Sequence, residues 1–256
     1  MDDIGLFIYD KRGSGRSTGE WQSASFEDLA QDVLAVIAQL KKHDHVNQTK
    51  IGLWGFSQGA SIAPLAASQS NDVAFMIMQS GGGVSPRRAE IHEQVARMQA
   101  QQLTAEEIQE AILFMDLQFD AVRSSEGWNK FQAAIPAAKE KKWYRYTWGG
   151  LPKENWLWKW WIPVVNYDPA IALQKVKVPV LIMFGSADQY IPKGEVEKIV
   201  VSMEQVLRTA GNNNITTKVF ENANHEIFIK NESGQWILAE SYDDVLKNWL
   251  IKVSKQ

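Results

Sequence analysis

Cysteine is missing from this chain of 256 residues, which excludes disulfide bonds, thiolate metal ligands and a cysteine nucleophile. Uninterrupted apolar runs of about 18 residues are missing too, so no segment is expected to span a membrane. An excess of basic residues is also lacking, because 27 Lys and Arg are set against 30 Asp and Glu, and nucleic acid is therefore not an expected partner. These absences leave a globular protein of one large domain, with or without an inserted subdomain.

No secretory signal peptide opens the chain, because Met1-Asp2-Asp3 leads directly into an apolar stretch. We therefore expect a cytoplasmic protein if the chain is complete. The opening nevertheless resembles the middle of a domain, so a longer parent protein is the alternative.

Strand-like and helix-like segments alternate in the first 83 and the last 88 residues. The segments predicted as strands are Ile4–Tyr9, Lys50–Phe56, Val73–Gln79, Pro179–Phe184 and Thr216–Phe220, most of them apolar. Helical patterns are found from Ser25 to Leu40, with Asp28 as a capping partner, and at Gln58–Ser70, Gly194–Ala210 and Tyr242–Val253. Apolar strands alternating with helices predict an α/β fold with a mostly parallel sheet flanked by helices.

The alternation stops over residues 84–168. Helical patterns occur there at Ala89–Gln102 and Ala105–Ala121, and no run resembles a strand. We interpret residues 84–168 as a helical cap inserted into a core formed by residues 1–83 and 169–256.

Tryptophan is abundant in this chain. Seven of the 11 Trp residues lie between Trp128 and Trp161. Trp156, Trp160 and Trp161 are candidates for lining a substrate pocket, because tryptophan offers a large rigid apolar surface. The alternative is that these side chains only fasten the cap to the core.

The segment Gly55-Phe56-Ser57-Gln58-Gly59 lies directly between a predicted strand and a predicted helix. A serine in such a tight turn is lifted toward the carboxyl end of the sheet, and flanking glycines let strand and helix approach each other. The backbone N–H of Gln58, at the helix N-terminus, can then point toward a developing oxyanion. Ser57 is therefore the candidate nucleophile.

A serine hydroxyl needs a base, and a base in this setting needs an acid partner. His225 follows the last predicted strand, whereas His43 and His45 lie in a charged stretch and His92 lies in the insert. Asp188 follows the strand Pro179–Phe184 and precedes His225. The order Ser57, Asp188, His225 fits a catalytic triad.

The glycine-rich segment 13–19 after the first apolar run suggests a rival function, a dinucleotide-binding loop. The next helix begins only near Ser25, too far along for its N-terminus to meet a pyrophosphate in that loop. We expect no cofactor, and no His, Asp and Glu cluster has the spacing of a metal site.

Four segments together resemble the α/β-hydrolase superfamily. They are the Asp10–Ser17 turn, the Gly55–Gly59 elbow, the strand and loop from Val178 to Pro192, and the loop with Asn224 and His225. The likeness is greatest to bacterial esterases and prolyl-oligopeptidase-like hydrolases with a helical cap. It implies hydrolysis of acyl esters, or less often amides, with no cofactor.

This chain departs from that superfamily at its start. The resemblance implies a further strand between Ile4–Tyr9 and Lys50–Phe56, followed by a loop that supplies the second oxyanion N–H, and nothing before Met1 supplies either. An exposed apolar strand recruits another strand. We therefore expect either a homodimer that covers Ile4–Tyr9 or direct pairing of Ile4–Tyr9 with Lys50–Phe56.

Three functions follow from these observations. The first is a serine esterase acting on a small-molecule acyl ester. The second is a peptidase or acylaminoacyl hydrolase with the same triad. The third is a weak or silent hydrolase fold that acts through assembly, because loss of one oxyanion donor typically costs about 10²–10³ in rate.

Overall fold

The computed structural model describes residues 4–255. Its α-helices are α1 (Phe26–Leu40), α2 (Gly59–Ala67), α3 (Pro86–Ala100), α4 (Ala105–Arg123), α5 (Ser125–Ala138), α6 (Trp156–Val164), α7 (Pro169–Leu173), α8 (Val196–Thr209) and α9 (Tyr242–Ser254), with a 3₁₀ helix at Lys142–Tyr146. Its strands are β1 (Gly52–Phe56), β2 (Phe75–Gln79), β3 (Val180–Gly185), β4 (Ile215–Phe220), β5 (Phe228–Lys230) and β6 (Trp236–Leu238). Where a predicted element exists, its ends lie within about three residues of the predicted ones.

Strands β1 to β4 form one parallel sheet in the order β1-β2-β3-β4, and β5 and β6 form a separate antiparallel hairpin. Because side chains alternate along a strand, neighbouring residues of the sheet contribute to two different cores. Met76 and Ile182 pack with α2 and α8, whereas Ile77 and Leu181 pack with α9. The sheet is covered on both faces, which confirms the predicted α/β class.

Two local signals place helix ends where the sequence predicts them. The Ser25 hydroxyl accepts a hydrogen bond from the Asp28 N–H at 3.0 Å, and the Asp28 carboxylate accepts one from the Ser25 N–H at 2.8 Å. This reciprocal pair is a capping box that starts α1. Gly211, just after α8, has φ +87°, the left-handed conformation that favours glycine after a helix.

The segment 84–168 is helical throughout its regular structure, as expected, and α5 within it has no counterpart among the predicted helices. Aromatic rings fill its interior, and Phe119, Trp148 and Trp161 contact one another with ring centroids 5.0 to 5.3 Å apart. A second group, Phe131, Trp128 and Trp158, packs in the same way. Treating these residues as a separate cap inserted into the core stays a prediction.

The segment Ile4–Tyr9 corrects the sequence interpretation, because it is neither a buried strand nor paired with Lys50–Phe56. Leu6 is 71% exposed and Ile8 is 80% exposed. Within residues 4–255, β1 has ladder bonds to β2 alone, so the other edge of β1 does not pair with this segment. An apolar run becomes a strand only when a partner satisfies its backbone groups. The homodimer that would cover this segment stays a prediction, checked by size-exclusion chromatography with light scattering.

Candidate active site

Ser57 occupies a sharp turn between β1 and α2. Its φ of 53° lies in the left-handed region, which is strained for any residue other than glycine. Its backbone N–H still donates to the Gln79 carbonyl at 2.9 Å, extending the β1–β2 ladder by one residue. Ser57 is half-buried. It directly follows the last residue of β1, so it lies at the carboxyl edge of the sheet.

This turn depends on glycine, but only one of the two glycines that flank Ser57 is required for steric reasons. A Cβ at Gly55 would lie 2.2 Å from the Gly59 carbonyl oxygen, so strand and helix could not approach with a side chain there. A Cβ at Gly59 would meet nothing within 4 Å, so the steric role expected for that glycine is wrong. Gly81 has the role instead, because its Cβ would lie 2.2 Å from the Ser57 carbonyl oxygen.

Asp188 and His225 form a buried hydrogen-bonded pair. His225 Nδ1 lies 2.7 Å from Asp188 Oδ2, and the second carboxylate oxygen accepts the Tyr190 N–H at 2.9 Å. Asp188 is 3% exposed. Both carboxylate oxygens are therefore occupied, and the carboxylate holds the imidazole with Nε2 free for another partner.

The backbone N–H and C=O of His225 are both held by hydrogen bonds to side chains. The His225 N–H donates to the Gln189 side-chain oxygen at 3.1 Å, and the His225 carbonyl accepts the Ser80 hydroxyl at 2.7 Å. A Cβ at Gly185 would lie 2.2 Å from the Ala223 carbonyl oxygen, so the acid and base loops are in close contact. The imidazole is thus positioned by β2, β3 and the loop after β4 together.

His225 lies beside the Ser57 turn. Its ring contacts Phe56, the residue before Ser57, with centroids 5.1 Å apart, and Tyr190 packs edge-on at 4.8 Å. Ser80, which bonds the His225 carbonyl, follows the strand that pairs with β1. No hydrogen bond joins the Ser57 hydroxyl to His225 in the part of the chain described.

Gln58 is the N-cap residue of α2, so its backbone N–H lies at the positive end of the helix dipole. Its side-chain oxygen accepts a hydrogen bond from Lys11 Nζ at 3.3 Å. The sequence interpretation did not single out Lys11. Lys11 comes close to Gln58 because of the folded turn after Tyr9, and the spacing of these two residues in the sequence does not predict the contact.

The three candidate pocket tryptophans have different surroundings. Trp161 is 2% exposed and packs within the helical segment, and Trp160 is half-buried against it at 4.9 Å. Trp156 is 50% exposed and contacts Trp21, with ring centroids 5.3 Å apart. Trp21 is also the ring beside the Lys11 ammonium, and a substrate-lining role for any of the three tryptophans stays a prediction.

The other candidate bases have structural settings. His92 is buried in α3, its Nε2 accepts a hydrogen bond from Arg88 Nε at 3.1 Å, and burial lowers the pKa of its imidazole. His43 and His45 are exposed between α1 and β1. Across residues 4–255 there is no cluster of three or more His, Asp or Glu side chains suited to a metal ion, and no helix there is long and apolar enough to cross a membrane.

Comparison with known proteins identifies a family. A family model described as X-Pro dipeptidyl-peptidase (S15 family) matches residues 6–220. That range includes Ser57 and Asp188 and ends just before His225. The comparison with curated proteins gives no significant match.

Solved α/β-hydrolases share the fold at low identity. An esterase from Pyrococcus furiosus is 16% identical with a TM-score of 0.51, and 96% of this chain aligns with 67% of that one. An esterase from Thermogutta terrifontis, solved with malate bound, is 20% identical with a TM-score of 0.51, covering 95% of this chain and 78% of that one. An α/β-hydrolase from Penicillium is 16% identical with a TM-score of 0.56, covering 97% and 78%.

Proposed function

This chain belongs to the X-Pro dipeptidyl-peptidase (S15) family of the α/β-hydrolase superfamily, and we propose that it cleaves acyl substrates through a covalent intermediate on Ser57. It is a hydrolase of that superfamily. The observation that carries the serine mechanism is the 2.7 Å pair of His225 and the buried Asp188, held beside the strained Ser57 turn. A nucleophile, a base and an orienting acid in this order are the requirements of acyl transfer.

The proposed reaction assigns a role to each of these groups. The Ser57 hydroxyl attacks the acyl carbonyl while His225 Nε2 takes its proton, and Asp188 stabilises the resulting imidazolium. The Gln58 N–H donates to the oxyanion of the tetrahedral intermediate. His225 then protonates the leaving alcohol or amine, and water, activated by His225, hydrolyses the acyl-enzyme to release the acid.

We propose carboxylic esters as the substrates. Esterases from Pyrococcus furiosus and Thermogutta terrifontis are among the solved structures with this fold. Release of a dipeptide from X-Pro peptides is the second candidate, favoured by the family match over residues 6–220. Rates with p-nitrophenyl butyrate and with Ala-Pro-p-nitroanilide separate the two.

The serine mechanism is tested by covalent labelling. A fluorophosphonate probe should label the protein once, and peptide mapping should place the label on Ser57. Ser57→Ala should abolish both labelling and ester hydrolysis, whereas Ser233→Ala, at an exposed loop, should change neither. Undiminished hydrolysis by Ser57→Ala would refute the assignment, and a folded wild-type protein that resists the probe would favour the silent-fold alternative.

A further inference from the structure

Lys11 contacts Gln58, the residue that follows the candidate nucleophile Ser57 in the sequence. Its ammonium donates to Gln58 Oε1 at 3.3 Å and lies 4.6 Å from the centroid of the Trp21 ring. Trp21 in turn contacts Trp156 of α6 at 5.3 Å. The Lys11 ammonium therefore lies between Gln58 and the Trp21 ring, which packs against Trp156 of α6.

The turn that carries Lys11 is held in place by its own contacts. Arg12 forms two hydrogen bonds with the Asp32 carboxylate of α1, at 2.6 and 2.7 Å, and a third with the Asp28 carbonyl at 3.1 Å. The Lys11 carbonyl accepts both the N–H and the hydroxyl of Ser14, at 2.9 and 2.6 Å. Lys11 thus begins from a fixed backbone, so little backbone entropy is lost when a ligand binds.

The Lys11 ammonium has no carboxylate partner within residues 4–255, although acidic side chains surround its turn. Asp32 is paired with Arg12, Glu20 bonds Lys159 at 2.8 Å, and Asp10 accepts the Arg16 N–H at 2.9 Å. Burial lowers the pKa of the Lys11 ammonium. A partly buried cation without a counter-charge is stabilised when an anion binds beside it.

Gln58, the partner of Lys11, also has donors that are not used within the described part of the chain. Because Gln58 Oε1 accepts the Lys11 hydrogen bond, the amide nitrogen of Gln58 is turned the other way, and it has no hydrogen-bond partner in the described part of the chain. The Lys11 ammonium can donate a charge-assisted hydrogen bond to a carboxylate, and the Gln58 amide N–H₂ is a further donor on the residue after Ser57. The Trp21 ring supplies the apolar wall that a short methylene chain would contact.

We propose that Lys11, Gln58 and Trp21 form an anion subsite that selects ester substrates carrying a free carboxylate a few bonds from the scissile carbonyl, such as monoesters of short dicarboxylic acids. The proposal rests on the proposed ester hydrolysis at Ser57 and names the substrate class for that site. The negative charge sits on the acyl side chain, where it does not take part in the bond that breaks.

Paired substrates test this subsite. Mono-p-nitrophenyl glutarate and p-nitrophenyl butyrate share leaving group and approximate length, and differ by one carboxylate. Lys11→Met should raise KM for the glutarate ester about tenfold, the effect of losing one charge-assisted hydrogen bond, and leave kcat/KM for the butyrate ester within about twofold. Lys11→Arg should retain most of the preference, and Lys130→Met, at an exposed position on α5, should behave as wild type.

A second measurement does not depend on turnover. In the Ser57→Ala background, affinity for mono-p-nitrophenyl glutarate, measured by equilibrium dialysis, should fall about tenfold when Lys11→Met is added. Unchanged affinity would overturn the subsite even if Ser57 proves to be the nucleophile. An equal loss of kcat on both esters would also overturn it, because it would assign Lys11 to the oxyanion. Binding that depends on Lys11 in a protein without esterase activity would support the subsite and refute only the proposed reaction.

Discussion

Asp188→Asn isolates the role of the buried carboxylate, because the substitution keeps the shape of the side chain. The Tyr190 N–H lies 2.9 Å from Asp188 Oδ1 and needs an acceptor. Asparagine therefore keeps its oxygen there and turns its N–H₂ toward His225 Nδ1, which lies 2.7 Å from the other oxygen. His225 Nδ1 must then accept a hydrogen bond, so the ring proton moves to Nε2 and the base can no longer take the proton of Ser57.

The expected loss in kcat is about 10⁴-fold, as measured for the equivalent change in a serine protease, and corresponds to about 5 kcal/mol of transition-state stabilisation. KM for p-nitrophenyl butyrate should change little, since the carboxylate acts on the imidazolium that forms only in the transition state. Thermal unfolding checks that the variant is folded, and Asp244→Asn on the exposed side of α9 is the matched control. A kcat within tenfold of wild type would show that the acid lies elsewhere.

Three further substitutions test how the site is built. Gly55→Ala places a Cβ 2.2 Å from the Gly59 carbonyl oxygen, so hydrolysis should nearly vanish and the melting temperature should fall, whereas Gly59→Ala should be tolerated. Ser80→Ala removes the 2.7 Å hydrogen bond to the His225 carbonyl, so kcat should fall several-fold, with about 1 kcal/mol lost in the free energy of unfolding measured in urea. Trp161→Ala should cost about 3–5 kcal/mol in the same urea assay, because Trp161 is 2% exposed; a loss below about 1 kcal/mol would contradict its place in the core.

The resemblance and the chain order together predict much of this site before any coordinates. The elbow requires a small residue two positions before Ser57, and Gly55 meets this need because a Cβ there would clash with the Gly59 carbonyl oxygen. Asp188 and His225 each follow an apolar strand, and parallel strands present their carboxyl ends at one edge. The hydrogen bond between Asp188 and His225 agrees with that expectation. Their catalytic roles stay a proposal until the variants are measured.

Other features depend on contacts between residues far apart in the chain. Ser80 and Gln189 hold the backbone of His225, yet neither stands at a spacing that marks it. Gly81 packs against the Ser57 carbonyl, and Gly59, which the motif emphasises, has open space around it. These roles depend on contacts between loops in the folded protein, and the spacing of residues along the sequence does not predict those contacts.

The sequence by itself determined the α/β class, the helix ends at Ser25 and Gly211, and the candidate triad, because these depend on local hydrogen bonds, periodicity and chain order. Tertiary structure alone decided that Ile4–Tyr9 is exposed and unpaired, since an apolar run becomes a strand only if another strand meets its backbone groups. It also decided that Lys11 lies against Gln58, because the Arg12–Asp32 pair folds the turn back onto α1. The propensity to form a helix or a strand is a property of a local segment, whereas the burial of a residue and its hydrogen-bond partners depend on the whole fold.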